Sequence, residues 1–455
     1  MELANKRVLV VGLGKSGVAS ALFLQSRGAR VTVSDAKPQD QLGNDIPFLL
    51  DHGIAVETGG HGERTFRGQD LIVVSPGVPV DSAPLVQARA LGEPVIGEIE
   101  LASLFLPRNI IAITGSNGKT TTTSLAGEII AAGGFPALVG GNIGTPAISL
   151  VEQAKPDTVV VLEVSSFQLE TIQKFRPKIG VVLNVTPDHL DRHRTFAAYT
   201  DAKARIFENQ DAEDFAVLNA DDATCVELAS RTRSQVFWFS VKKEVQLGAY
   251  VRDGRLLFRD AKGQREIMLA AEIPLKGVHN VENTLAAICA GALTGCEPER
   301  IRQAVQNFKA VEHRLEYVAT IRGVEYYNDS KATNVDATIK ALESFPANIH
   351  LILGGKDKDS DYSLLNDLLK QRVKRVYTIG SAADKIESQI KAAEIDHAGT
   401  LETALKHAAA IAEPGDVVLL APACASFDQF ENYEHRGRVF KEVVATLASD
   451  PEFLN

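Results

Sequence analysis

Ile110-Ile111-Ala112-Ile113-Thr114-Gly115-Ser116-Asn117-Gly118-Lys119-Thr120-Thr121 is the stretch around which the chain is organised. An apolar, strand-like run enters a glycine-rich turn, and a helical pattern, Thr122 to Ala131, follows. A junction of this kind gathers backbone N–H groups and the positive end of a helix dipole at one spot, which suits a phosphate. Lys119 is spaced to reach β- and γ-phosphates, and Thr120 to offer its hydroxyl to Mg²⁺. The full P-loop pattern has glycine where Ile113 stands, so this loop is a shortened form.

Downstream, Thr158 to Glu163 reads as a buried parallel strand. Glu163 at its carboxyl end is where a nucleotide-bound metal needs a carboxylate. A second strand, Ile179 to Val185, ends in Thr186-Pro187-Asp188-His189-Leu190-Asp191-Arg192-His193. His189 and His193 have the i, i+4 spacing of a zinc protease, but Leu190 stands where that motif needs Glu. Asp188 and His189 are therefore candidate metal or nucleotide ligands of another kind. Lys203 reads as an ordinary surface lysine on a helix. Gly140-Gly141-Asn142-Ile143-Gly144 suits either backbone close to a ligand or a structural loop. Residues 215–275 turn β-rich, with a hairpin at Tyr250 to Phe258, and a helix is expected from Asn280 to about Leu293.

Before the central loop, Val8 to Val11, Gly12-Leu13-Gly14-Lys15-Ser16-Gly17, a helix to about Arg27, Arg30 to Ser34 and Asp35 form G-x-G-x-x-G in a βαβ setting. Alone this suggests NAD; physically, the turn takes any pyrophosphate, and Asp35 accepts from a ribose hydroxyl or a uracil N–H. The strand Asp70 to Val74 ends in Ser75-Pro76-Gly77, either a binding turn or a plain one. Gly97-Glu98-Ile99-Glu100, a short helix and Pro107 read as a linker into the second domain. A third α/β pattern begins near Val311, with strands before Asn328, Gly354, Ile379 and Ala421, a helix over 382–393 and a last helix over 433–448.

The 455 residues suit about three domains. A net charge of −10 argues against a nucleic-acid partner. Cys225, Cys289, Cys296 and Cys424 lack metal-site spacing and suit a reducing compartment. No signal core or run of about 18 apolar residues is present, so a cytoplasmic protein without a membrane span is expected.

Thr114 to Thr121, Leu162-Glu163-Val164-Ser165-Ser166-Phe167-Gln168, Asn184 to Asp191, His279-Asn280 and Asp329-Ser330-Lys331-Ala332-Thr333-Asn334 together resemble the Mur ligases, and the resemblance covers essentially the whole chain. Gly12 to Gly17, Gly140 to Gly144 and Leu420 to Phe430 are most similar to the members that add D-glutamate. The Asp-Asn-Pro-Arg motif of members that add diaminopimelate or lysine is missing. The resemblance implies three α/β domains: an N-terminal Rossmann-like UDP-binding domain (1–97), a central P-loop-type ATPase domain with a small β-rich excursion (98–310) and a C-terminal Rossmann-like amino-acid-binding domain (311–455). It implies a monomeric ligase that joins D-glutamate to UDP-N-acetylmuramoyl-L-alanine at the expense of ATP. Lys15, Ser16, Asp35, Lys37, Ser75, Asn142, Ser165 and His189 would bind the UDP substrate. Gly115, Ser116, Asn117, Gly118, Lys119, Thr120, Thr121, Asn280, Asn283, Arg314 and Asp329 would bind ATP. Thr333, Lys358, Ser426 and Tyr433 would bind D-glutamate. Two Mg²⁺ ions are implied, one on Thr120 and Glu163 and the other on His189 and Lys203, with Lys203 carrying CO₂ as a carbamate. Lys119, Glu163, His189 and Lys203 would form the catalytic set. The chain departs from the family at Lys15, where an apolar residue is usual, and at Tyr433, where Phe is frequent. Two rivals are a related ligase for another amino acid or a folate, and an NAD-linked dehydrogenase or nucleotide-gated binding protein; a dehydrogenase would have no use for the Lys119 loop.

Overall fold

The computed structural model describes residues 1–42, 45–62, 64–309 and 311–449; the expected domain boundary at 310 and the last residues, 450–455, lie outside them. Three sheets follow one another along the chain. The first is parallel, built from β1 (Arg7–Val11), β2 (Arg30–Ser34), β3 (Ala55–Glu57), β4 (Leu71–Val74) and β5 (Val95–Gly97) in the order β3-β2-β1-β4-β5. Strand order reverses at β1, which opens a crevice at the carboxyl ends of β1 and β4, the place where open α/β sheets take ligands.

The central sheet has nine strands: β6 (Ile110–Thr114), β7 (Ala137–Gly141), β8 (Val159–Glu163), β9 (Ile179–Val182), β10 (Phe215–Asn219), β11 (Gln235–Ser240), β12 (Gly248–Arg252), β13 (Arg255–Asp260) and β14 (Gly263–Leu269). Their order is β14-β13-β12-β11-β10-β9-β6-β8-β7, parallel from β7 to β12 and antiparallel beyond. The β-rich stretch thus continues the central sheet at one edge. Its parallel core strands are covered on both faces, and β6 and β8 are buried at every residue, which is why they read as unbroken apolar runs. β6 lies between β8 and β9, so this sheet too has a reversal, at the strand that feeds the glycine-rich loop.

The third sheet contains β15 (Glu316–Ile321), β16 (Val324–Asn328), β17 (Ile349–Gly354), β18 (Val373–Ile379), β19 (Glu394–Gly399) and β20 (Val417–Leu420) in the order β15-β16-β20-β17-β18-β19, with only β15 antiparallel to its neighbour. The helix expected over 382–393 stops at Gln389, and β19 follows it. β19 is an edge strand, half-exposed and charged, so its sequence carries no apolar run. The last helix is Tyr433–Ser449.

The chain forms two compact units, Met1–Ala270 with Asn283–Gln306, and Ala271–Glu282 with Asn307–Asn455. Within the first unit a single apolar core runs from Val8 and Val10 of β1 through Ile99 and Leu101 to Ala112, Val160 and Leu162. Glu100, buried in this joint, accepts backbone N–H bonds from Gln173, Lys174 and Phe175 at 2.8 to 3.0 Å. The linker expected at Gly97–Pro107 is therefore a packed and hydrogen-bonded seam, since a carboxylate buried there must be matched by donors.

Candidate active site

The helix Lys119–Ala132 begins at Gly118, whose φ of +86° and lack of a side chain leave the first turn without a side-chain cap. A Cβ at Gly118 would meet Asn283 Oδ1 at 2.2 Å, so the loop and the helix Val278–Thr294 are packed to a glycine's dimensions. Asn283 Oδ1 also accepts from the Thr122 hydroxyl at 3.3 Å. The loop is fixed from the β9 side: Ser116 N–H donates to Asn184 O, Asn117 N–H to Asn184 Oδ1, and the Ser116 hydroxyl to Thr186 O, all at 2.8 to 2.9 Å. Lys119 Nζ lies over the loop, donating to the carbonyls of Gly115 and Ser116 at 2.8 Å each.

Glu163 stands at the end of β8 beside this loop. Its Oε2 accepts from the Thr120 hydroxyl at 2.7 Å and its Oε1 from Asn142 Nδ2 at 2.8 Å. A buried carboxylate and a hydroxyl are thereby held together at the helix N-terminus, a pair of hard oxygen donors of the type that suits Mg²⁺.

On the far side of the loop lies Lys203, which is only 1 % exposed. Its Nζ donates to Gly115 O at 2.8 Å and sits 4.5 Å from the centre of the Tyr199 ring. Burial drives its pKa well below the usual lysine range; the neighbouring Lys119 pushes the same way, against the opposing charges of Asp188 and Glu163. The expected surface lysine is thus a core lysine, because the helix Phe196–Ala204 turns this residue inward onto the loop. Tyr199, on the same helix, places its hydroxyl 3.1 Å from the Ser116 hydroxyl; nothing in its local sequence singles it out. His189 takes up a left-handed backbone at φ +53° and heads the short helix Leu190–His193, with its ring edge-on to Phe167 at 4.9 Å. Its N–H donates to Asp188 Oδ1 at 2.9 Å. His193 instead pairs with Ser166 and Glu170, a structural role.

The first-domain turn is built the same way with other side chains. Gly12 has φ +97° and Gly17 lies so close that a Cβ there would meet Gly12 O at 1.9 Å. Ser75, at the end of β4, donates to Gly12 O at 2.9 Å, and Asp35 accepts from the N–H groups of Leu13 at 2.6 Å and Lys37 at 2.8 Å. Asp35 therefore staples the turn through both carboxylate oxygens. Lys15 and Lys37 are exposed and Ser16 half-buried at the turn's rim.

In the second unit the loops after β16, β20 and β17, three neighbouring strands, bring Thr333, Ser426 and Lys358 to one sheet edge. Arg436, fully buried on the last helix, ties two of these loops together through Ser330 O at 2.8 Å and Cys424 O at 3.1 Å. Tyr433 joins them because its carbonyl accepts from the Ser330 hydroxyl at 2.8 Å. Asp329, raised to about 6 by burial, has Arg314 close enough to oppose that rise. Arg314 also bears on His279, which burial first and this charge second hold down to about 4, beside Asn280. The four cysteines are buried, and burial raises every thiol above its ordinary range, which removes them as nucleophiles.

Comparison with known proteins finds matches along nearly the whole chain. Residues 6–97 match the Mur ligase MurD-like N-terminal domain, 113–291 the Mur ligase middle domain and 313–424 the Mur ligase glutamate ligase domain. The chain is 66 % identical over 448 residues to a UDP-N-acetylmuramoylalanine–D-glutamate ligase of Koribacter versatilis, covering 98 % of this chain and 99 % of the relative. It is 60 % identical to the ligase of the same name from Acidobacterium capsulatum, over 98 % and 97 % of the two chains. Among solved structures, a pseudomurein peptide ligase from Methanothermus fervidus shares the fold with a TM-score of 0.62 at 20 % identity, over 97 % of this chain and all of that one. The MurF ligase of Thermotoga maritima in complex with ADP does so with a TM-score of 0.62 at 17 % identity, over 98 % and 99 %.

Proposed function

The chain belongs to the Mur ligase family, and on that premise we propose that it joins D-glutamate to UDP-N-acetylmuramoyl-L-alanine with cleavage of ATP, a step of peptidoglycan precursor synthesis, acting as a monomer in the cytoplasm. The observation that carries the proposal is the pair of phosphate-type turns, one per domain of the first unit, of which only the second is surrounded by Lys119, Thr120, Glu163 and Lys203.

A carboxylate resists attack by an amine and must first be activated. The alanyl carboxylate attacks the γ-phosphorus of ATP, the bond to the β-γ bridging oxygen breaks, and ADP leaves an acyl phosphate. Lys119 moves from the loop carbonyls to the transferring group, whose charge it offsets. The first turn of the helix after Gly118 receives the phosphates, and Asn280, Asn283, Arg314 and Asp329 hold the rest of the nucleotide. Lys15, Ser16, Asp35, Lys37, Ser75, Asn142, Ser165 and His189 hold and orient the UDP substrate. Thr333, Lys358, Ser426 and Tyr433 bind D-glutamate, with the Lys358 ammonium matching a carboxylate. The amine attacks the acyl carbon, loses a proton, and phosphate departs. Water must be excluded during the life of the acyl phosphate.

Thr120 and Glu163 would hold one Mg²⁺, and His189 with a carbamylated Lys203 the second; these ions would offset charge on the phosphates and on the carboxylate oxygen. Burial favours the neutral amine of Lys203, the form that adds CO₂ with loss of a proton; the resulting carbamate would be an anion suited to a metal.

The test is ADP release by the purified protein with Mg-ATP and UDP-N-acetylmuramoyl-L-alanine. Turnover that requires D-glutamate and is absent with L-glutamate or D-alanine is expected; turnover with another amino acid would move the chain to a sister activity.

A further inference from the structure

Glu98 is the first residue of the helix Glu98–Ser103 and is 1 % exposed. Its Oε1 accepts the N–H of Ile148 at 2.7 Å. Its Oε2 is buried and has no hydrogen-bond partner among the described residues. The side chain of Gln168 lies against the same carboxylate and favours its charged form. No described cation is among the groups acting on it. An unpaired carboxylate oxygen in a core is costly, and native proteins rarely keep one without a return elsewhere.

What Glu98 touches identifies that return. Ile148 follows the Asn142–Gly144 loop, whose Asn142 holds Glu163 Oε1. Gln168 closes a capping box with Ser165: Gln168 Oε1 accepts from Ser165 N–H at 2.9 Å and from its hydroxyl at 3.1 Å. One carboxylate therefore bears on the chain both before and after Glu163. Glu98 and Gln168 line one narrow gap with Ser75, Pro76 and Val78 of the turn after β4.

We propose that Glu98 is a positioning residue for the UDP substrate, setting the Asn142 and Ser165 loops in register with the Ser75 turn across the seam between the first two sheets. It acts through Ile148 and Gln168 and touches no reacting atom. This inference rests on the assignment of Asn142, Ser165 and Ser75 to the UDP substrate.

Steady-state kinetics of the full chain test it. Glu98→Ala is expected to raise KM for UDP-N-acetylmuramoyl-L-alanine about tenfold, as small displacements of positioning groups do, while KM for ATP stays within about twofold. Glu98→Asp, which keeps the acid and shortens its reach by one methylene, is measured alongside as the milder variant and moves the same constant in the same direction. Glu98→Gln keeps the shape and the acceptor for Ile148 and restores KM to within about twofold of the parent. Adding Ser165→Ala to Glu98→Ala costs less than the product of the two single effects, because both act on one loop. Equal rises in both KM values, failure of Glu98→Gln to rescue, or unchanged KM in Glu98→Ala and Glu98→Asp would each overturn the inference. D-glutamate-dependent turnover by the parent protein separates these outcomes from a failure of the ligase reading itself.

Discussion

The turn at Gly12–Gly17 and the loop at Gly115–Thr121 hold equivalent places in their sheets. Each leaves the strand where strand order reverses, each opens a helix, and each is pinned from the next strand along. Their surroundings differ. The first turn is met by Asp35 and Ser75, which bond its backbone and carry no positive charge. The second is met by Lys119, by Lys203 from a helix many residues away, and by a hydroxyl–carboxylate pair. On the proposed function the same backbone device would hold a diphosphate in one place and serve phosphoryl transfer in the other, with the neighbouring side chains deciding which.

Substitutions in the two places should separate by kinetic constant. The largest effect is expected for Lys119→Ala, which removes charge compensation from the transferring group: kcat for ADP formation should fall by about 10²–10³-fold with little change in KM for the UDP substrate. Comparable loss through KM alone would make the two turns alike and break the contrast. Next is Lys203→Arg. A guanidinium cannot be neutral at working pH, so kcat should fall about as far as in Lys203→Ala, and a ¹³C signal from labelled CO₂ seen with the parent should vanish in both. An active Lys203→Arg enzyme would remove the need for a neutral amine. Asp35→Asn should act on binding only, raising KM for the UDP substrate about tenfold through a weakened turn staple, with kcat held.

A further contrast concerns stability rather than turnover. Glu98 is raised to about 7, by burial first, against the pull of the Ile148 N–H and the Gln168 amide. The folded protein binds this proton more tightly than the unfolded chain does. That stabilisation is therefore complete below about pH 4.5 and is lost as pH rises through about 7. Chemical denaturation of the parent and of Glu98→Gln should diverge over this window, the variant gaining on the order of 3 kcal/mol relative to the parent by pH 8. Parallel pH profiles would show that Glu98 is not held protonated.

Much of this could be read from the chain. Strands β6, β8 and β9 announce themselves as apolar runs, and the polar residues at their ends, Thr120, Glu163 and His189, declare a site because strand ends of parallel sheets are where ligands bind. Lys203 and Tyr199 could not be read locally. Their inward direction is set by packing of the helix Phe196–Ala204 against a loop almost ninety positions earlier, and only the family resemblance singled out Lys203. Glu98 and Glu100 read as part of a linker, because the donors that hold them buried lie far along the chain, at Ile148 and Gln173–Phe175. β3 and β19 escaped notice because edge strands need only one apolar face.

In the proposed reaction the substrate carboxylate passes through an acyl phosphate. Turnover with UDP-N-acetylmuramoyl-L-alanine carrying ¹⁸O in both alanyl carboxylate oxygens tests it most directly, read by ³¹P NMR of the inorganic phosphate. One ¹⁸O atom delivered to each phosphate is the predicted result. Phosphate free of ¹⁸O, with amide product still formed, would contradict it.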